Sequence, residues 1–210
     1  MIKISSKDIQ AASVVFKNFL KEVVKCYENS GGNCYEPDNK ELAKKHGIKY
    51  LGAGVYRVAF KYKNLVLKTH LELDETESIT TEYEVWKYYK KNVMSATLNP
   101  VLFCKSFEVK TLDYGHVYIA YSISLYVLPH MKAKPTNKHK HYTKIKNMVS
   151  EIISDGHTGN IGVLNKLPVL IDYQFNDFHP PSKDHIPKEH YSLIEKQHKN
   201  LLLLCSKAVA

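Results

Sequence analysis

Apolar residues recur at intervals of three and four along the first thirty residues of the chain. This spacing places them on one face of a helix, and the set includes Ile9, Phe16, Phe19, Leu20, Val23 and Val24. The pattern predicts an amphipathic helix from Ser6 to about Glu28. A second, short helix is predicted over residues 39–46, and Gly47 closes it.

The pattern changes to that of β-strands between Ile48 and His70. Branched and aromatic residues form two runs separated by Lys63-Asn64, which predicts a glycine-tipped hairpin. The chain then returns to helical periodicity before two more strand-like runs. The later predicted elements are a helix over 76–91, strands over 101–109 and 116–127, a helix ending near 153, a strand around 169–171 and a helix over about 187–208.

Length and composition indicate one globular domain, or one domain with two lobes. The chain has 210 residues, of which 44% are hydrophobic and 24% charged. Its net charge of +9 favours anionic partners such as nucleotide phosphates, nucleic acid or acidic protein surfaces. The apolar runs are far shorter than the roughly 20 residues of a membrane helix, so we expect no membrane association.

The most informative polar residues lie in the segment 154–161 and just after the predicted strand at 169–171. Asp155 on an extended loop can accept a proton from a hydroxyl group, and Asn160 can bind a metal ion. Asp172, which follows the strand, can hold the same metal against phosphate groups. These three residues predict a metal-dependent phosphotransfer centre.

The residues that precede this segment supply the other parts of a nucleotide site. Gly52 and Gly54 lie at a turn between strands, where backbone N–H groups can approach phosphate oxygens. Alternation along the next strand directs Lys68 inward, where its ammonium group needs a carboxylate or a phosphate. The helix over 76–91 offers two candidate partners for Lys68, Glu82 and Glu84.

Along the chain come a G-x-G turn, a strand lysine, a helix glutamate, a strand pair, a D-x-x-x-x-N segment and a strand aspartate. This order resembles that of the protein-kinase-like fold. More narrowly, the runs Leu51 to Phe60 and Asp155 to Ile161 are similar to those of the small serine/threonine protein kinases that bacteriophages make early in infection. The resemblance covers residues 49–174. It implies an α+β bilobal fold, with an antiparallel sheet in the N-lobe over 49–128 and a reduced helical C-lobe over 129–210, preceded by a helical extension over 1–48.

The resemblance also implies a role for each matching residue. Asp155 corresponds to the catalytic aspartate, Asn160 to the metal ligand of the catalytic loop and Asp172 to the aspartate of the D-F-G motif. Lys68 corresponds to the phosphate-anchoring lysine, with Glu82 as its partner and Glu84 as the fallback. The cofactors implied are ATP, held between the lobes with help from Gly52 and Gly54, and Mg²⁺.

The chain departs from the family pattern at several positions. Arg57 replaces the third glycine of the loop, and D-F-G reads Asp172-Tyr173-Gln174. No A-P-E-like segment follows Asp172, and 38 residues of the chain come after it (210 − 172). This length leaves little room for a standard activation loop or a peptide-docking platform.

Despite these departures, the resemblance implies an ATP- and Mg²⁺-dependent protein serine/threonine kinase that acts on host proteins in the host cytoplasm, and we favour this function. Two alternatives stay open: a small-molecule phosphotransferase of the aminoglycoside or choline type, and a pseudokinase that binds and inhibits a host factor. The basic stretch 132–146 is compatible with binding to nucleic acid or an acidic partner. We favour a solvated basic face there, because Tyr142 is the one aromatic residue within it.

Overall fold

The computed structural model describes residues 4–31, 35–73, 76–111, 115–129, 160–164, 167–171, 188 and 191–209. These residues form an α+β structure with an antiparallel sheet of five strands. The described residues fall into two compact units. One contains those of residues 2–83 and 101–126, and the other contains those of residues 84–100 and 127–207.

The first unit is built on the five-stranded sheet, in the order β1-β2-β3-β5-β4. Neighbouring strands pair antiparallel throughout. The strands are Lys49–Ala53 (β1), Arg57–Tyr62 (β2), Leu65–His70 (β3), Val101–Thr111 (β4) and Gly115–Leu125 (β5). The predicted strands in this part of the chain are therefore confirmed.

Helix α1, Ser6–Asn29, packs on one face of this sheet. Its N-terminus is fixed by a capping box in which the Ser5 and Asp8 side chains each bind the other's backbone N–H. Phe16 and Phe19 are fully buried against Phe60 of β2. The predicted amphipathic helix is confirmed, and its apolar face is part of the core of the sheet unit.

A short second helix follows α1 and contacts strand β1. Helix α2 spans Lys40–Lys45, and the Asn39 side chain caps it by accepting a hydrogen bond from the backbone N–H of Leu42 at 2.9 Å. Gly47 after this helix has a φ of 70°, the left-handed conformation that favours glycine at a helix C-terminus.

Helix α3 spans Glu77–Tyr89, and its residues up to Tyr83 belong to the first unit. The second unit contains a 3₁₀ helix and a three-stranded sheet in the order β6-β7-β8. Helix α4, Tyr191–Val209, completes this unit and contacts the 3₁₀ helix through the Gln197 side-chain amide, which donates to the Ala96 carbonyl oxygen at 3.1 Å. The elements are Val93–Thr97 (3₁₀), Leu128–Pro129 (β6), Ile161–Leu164 (β7), Leu167–Leu170 (β8) and Tyr191–Val209 (α4).

None of the helices within the described ranges is both long and apolar enough to cross a membrane. The predicted helix that ends near residue 153 lies outside the described residues.

Candidate active site

The glycine turn between β1 and β2 is closed by a backbone hydrogen bond. The N–H of Gly54 donates to the carbonyl oxygen of Arg57 at 2.8 Å. Val55, at the tip of the turn, is 80% exposed, and Tyr56 is also exposed. The turn therefore presents its side chains to solvent, and the amide of Gly54 is already engaged within the turn.

Lys68 lies on the central strand of the same unit. Its neighbours in the sheet are Ala59 on β2 and Ser122 on β5. Strand β3 is buried along its whole length, and the Lys68 side chain is 9% exposed. A charged group in such a position requires an opposite charge nearby, because burial penalises an unpaired ammonium group.

Glu82 of helix α3 supplies that charge. The Lys68 Nζ donates to both carboxylate oxygens of Glu82, at 2.8 Å to Oε1 and 2.9 Å to Oε2. Glu82 is fully buried. The pairing of Lys68 with Glu82 is thus confirmed, while their roles in binding a nucleotide stay a prediction.

The fallback partner, Glu84, has a different environment. Its side chain is half exposed and forms a loose ion pair with Lys87 at 3.5 Å on the same helix. Two residues along a helix correspond to a rotation of about 200°, so Glu82 and Glu84 lie on nearly opposite faces. Helix geometry therefore selects Glu82 for the buried position.

Arg57 also contacts Glu82, which the sequence did not indicate. Its Nη1 atom lies 3.6 Å from Glu82 Oε2, and its side chain is 11% exposed. One carboxylate thus faces two cations. The chain holds thirty lysines and arginines together, and Arg57 is the single arginine among them. A single arginine among the basic residues sets position 57 apart in the sequence, but it does not identify the partner of Arg57.

Two serine hydroxyl groups lie on the same face of the sheet as Lys68. Ser122 is paired in register with Lys68, and Ser124 with Val66. Both residues are fully buried, and neither hydroxyl oxygen has a hydrogen-bond partner among the described residues. A buried hydroxyl group without a partner costs free energy, so Ser122, which is next to Lys68, can still form a hydrogen bond beyond those with the described residues.

In the second unit, a β-hairpin fixes the position of Asn160. Strands β7 and β8 pair antiparallel, with Ile161 opposite Leu170. Beyond this pair, the N–H of Ile171 donates to the carbonyl oxygen of Asn160 at 2.8 Å. The hairpin therefore brings Asn160 next to the residue that immediately precedes Asp172 in the chain.

Gly162 in this hairpin accommodates a close neighbour. A Cβ atom at this position would lie 2.5 Å from a methyl carbon of Val127 and 2.9 Å from one of Ile171. A larger residue at 162 would therefore displace the strand that follows Asn160.

Asp155 and Asp172, the predicted catalytic and metal-binding aspartates, lie outside the described residues, as does the basic stretch 132–146. The structure thus brings Lys68, Glu82 and Arg57 together in one unit and places Asn160 at the open end of a hairpin in the other. Comparison of the chain with protein-family models, with curated proteins and with solved structures found no match.

Proposed function

We propose that the protein is an ATP- and Mg²⁺-dependent serine/threonine protein kinase with a bilobal, kinase-like fold and a reduced C-lobe. The observation that carries the proposal is the buried ion pair of Lys68 and Glu82. A buried lysine on a central strand, held by a glutamate from the next helix and preceded by a glycine turn, is the arrangement that anchors nucleotide phosphates in protein kinases.

The residues present fit a nucleoside triphosphate. Lys68 supplies a positive charge whose orientation is already fixed by Glu82. The hydroxyl group of Ser122, which has no hydrogen-bond partner within the described part of the chain, lies in the neighbouring strand position and offers a hydrogen bond to a polar ligand. An anionic ligand also suits the net charge of +9.

We assign the remaining roles to Asn160, which precedes the hairpin of the second unit, and to Asp155 and Asp172. Asn160 and Asp172 would hold Mg²⁺, which neutralises charge on the phosphates when it is bound. Asp155 would orient the acceptor hydroxyl group and accept its proton. The hydrogen bond between Asn160 and Ile171 supports this assignment, because it holds Asn160 beside Ile171, the residue that precedes Asp172 in the chain.

The resemblance to early phage kinases suggests host proteins as the acceptors. A direct test is incubation of the full chain with γ-labelled ATP, Mg²⁺ and a bacterial host lysate. Label on proteins, at serine or threonine, is the expected result. Label on a small molecule would favour the small-molecule phosphotransferase, and bound nucleotide without any transfer would favour the pseudokinase.

A further inference from the structure

Arg57 lies on the same face of the sheet as Lys68. Strands β2 and β3 are paired so that Arg57 is opposite His70 and Ala59 is opposite Lys68. Side chains two residues apart on a strand share a face, so Arg57 and Lys68 are diagonal neighbours across the two strands. Their cationic ends both reach the carboxylate of Glu82.

The environment of Arg57 explains the choice of arginine at this position. The side chain is 11% exposed and the carboxylate that it faces is fully buried. A guanidinium group is always charged and is more weakly hydrated than an ammonium group, so it is the better cation for a buried pair. All other basic side chains counted as Lys or Arg in the chain are lysines.

A second cation on Glu82 has a consequence for the proposed kinase site. When Lys68 bonds to a phosphate group, it shares its hydrogen bonds between that phosphate and Glu82. With Lys68 as its only cation, the buried carboxylate would lose part of its charge compensation at that moment, at a cost in free energy. Arg57 keeps a positive charge beside Glu82 throughout.

We propose that Arg57 is a positioning residue that holds the Glu82 carboxylate in place, so that Lys68 is oriented for phosphate before any ligand binds. This inference rests on the proposed function. It also gives a physical reason for the departure from the family pattern, in which position 57 would be a glycine.

The first test measures turnover, as phosphate release from Mg-ATP, in Arg57→Met, Arg57→Lys and Lys110→Met. Lys110 is an exposed residue of β4 and controls for the loss of one positive charge. We expect Arg57→Met to lower kcat by about tenfold while KM for ATP changes by less than about threefold, because the ligand contact itself belongs to Lys68. The kcat of Arg57→Lys should be at least threefold higher than that of Arg57→Met, and the kcat of Lys110→Met should equal that of the parent chain.

Unchanged kcat in Arg57→Met, or a loss that Arg57→Lys does not recover, would overturn the inference. A merely structural role predicts a lower melting temperature with no split between kcat and KM. The kinetic split and the recovery by lysine are therefore the decisive readouts.

The second test needs no nucleotide. Melting temperatures of Arg57→Met, Glu82→Gln and the double variant form a cycle that isolates the contact between the two residues. We expect the Arg57→Met substitution to lower the melting temperature when it is made in the parent chain, but not when it is made in the Glu82→Gln variant. If Glu82→Gln does not fold, Glu82→Asp, which withdraws the carboxylate by one methylene group, takes its place.

The two tests separate the inference from the proposed function. If the effects of Arg57→Met and Glu82→Gln on the melting temperature are not additive but the parent chain shows no turnover, the proposed kinase activity is overturned. Arg57 would then still be the residue that holds Glu82. If the parent chain shows turnover but the two effects on the melting temperature are additive, the inference about Arg57 is overturned and the proposed kinase activity stands.

Discussion

Ser13 of helix α1 and Tyr121 of strand β5 are joined by a hydrogen bond of 2.7 Å between their hydroxyl oxygens, across 108 residues of sequence. Burial raises the pKa of Tyr121, so the phenol stays protonated over the ordinary pH range and can take part in this bond. The bond adds a polar contact to the apolar packing of α1. The first helix is therefore integral to the sheet that carries Lys68.

Replacement of Phe16 by alanine should destabilise the whole sheet unit. Phe16 is fully buried and its ring lies 5.7 Å, between centroids, from each of the rings of Phe60 and Tyr121. We expect a loss of about 3–5 kcal/mol in the free energy of unfolding, measured by urea denaturation. Val14→Ala, on the exposed side of the same helix, should change it by less than about 0.5 kcal/mol. Equal effects of the two variants would mean that α1 does not pack as described.

A second prediction compares two glutamates on one helix. Glu82→Gln leaves the buried Lys68 and the largely buried Arg57 without their shared carboxylate and should lower the free energy of unfolding by about 3–5 kcal/mol. Glu84→Gln removes a half-exposed ion pair with Lys87 and should cost at most about 1 kcal/mol. Urea denaturation of both variants at neutral pH measures the contrast. Similar losses would contradict the burial of the Lys68–Glu82 pair.

The contact between α1 and α2 should depend on pH. Hydrogen bonds from Lys45 and then His46 lower the pKa of Glu22 below its ordinary value of 4.5. A lowered carboxyl pKa in the folded state stabilises the fold above the unfolded-state pKa, and this contribution is lost as the pH falls through the folded-state value. The difference in unfolding free energy between the parent chain and Glu22→Gln should therefore be present at pH 6 and shrink towards pH 3. A difference that does not change with pH would contradict the ion pair.

The two aspartates of the proposed catalytic centre should differ in their effects. Asp155→Asn removes the proton acceptor and should lower turnover by about 10²-fold or more while Mg-ATP binding stays near that of the parent chain. Asp172→Asn should weaken Mg²⁺-dependent nucleotide binding as well, because a metal ligand is lost. Phosphate release and calorimetric titration, performed on both variants, measure the contrast. Identical losses of binding in the two variants would contradict the separate roles.

Local sequence patterns predicted much of the fold because most of its elements have clear periodicity. Helix α1 and strands β4 and β5 were found within a few residues of their ends, since their apolar spacing and flanking turns are local signals. Strand β6 was not predicted. It has two residues, Leu128 and Pro129, and owes its strand conformation to pairing with β7 rather than to its own pattern.

The candidate site was predictable only where a local rule applied. The family pattern favoured Glu82 over Glu84, because Trp86 stands four residues after Glu82, and the strand position of Lys68 indicated that it faces inward. The contact between Arg57 and Glu82 joins residues 25 positions apart, so no local pattern could reveal it. Alternation also failed to describe β3, which is buried on both faces. Helix α1 packs on the face that holds Phe60 and its partner Leu67, and Glu82 of α3 bonds to Lys68 on the other face.

The most direct test of the central claim is calorimetric titration of the full chain with Mg-ATP, because it requires no knowledge of the acceptor. We expect saturable binding that depends on Mg²⁺. It should stabilise the fold by about 2.7 kcal/mol when the concentration of free Mg-ATP is about 100 times Kd. Lys68→Met should weaken it at least tenfold, whereas Lys110→Met should bind as the parent chain does. Absence of binding by the folded parent chain at millimolar Mg-ATP would contradict the account.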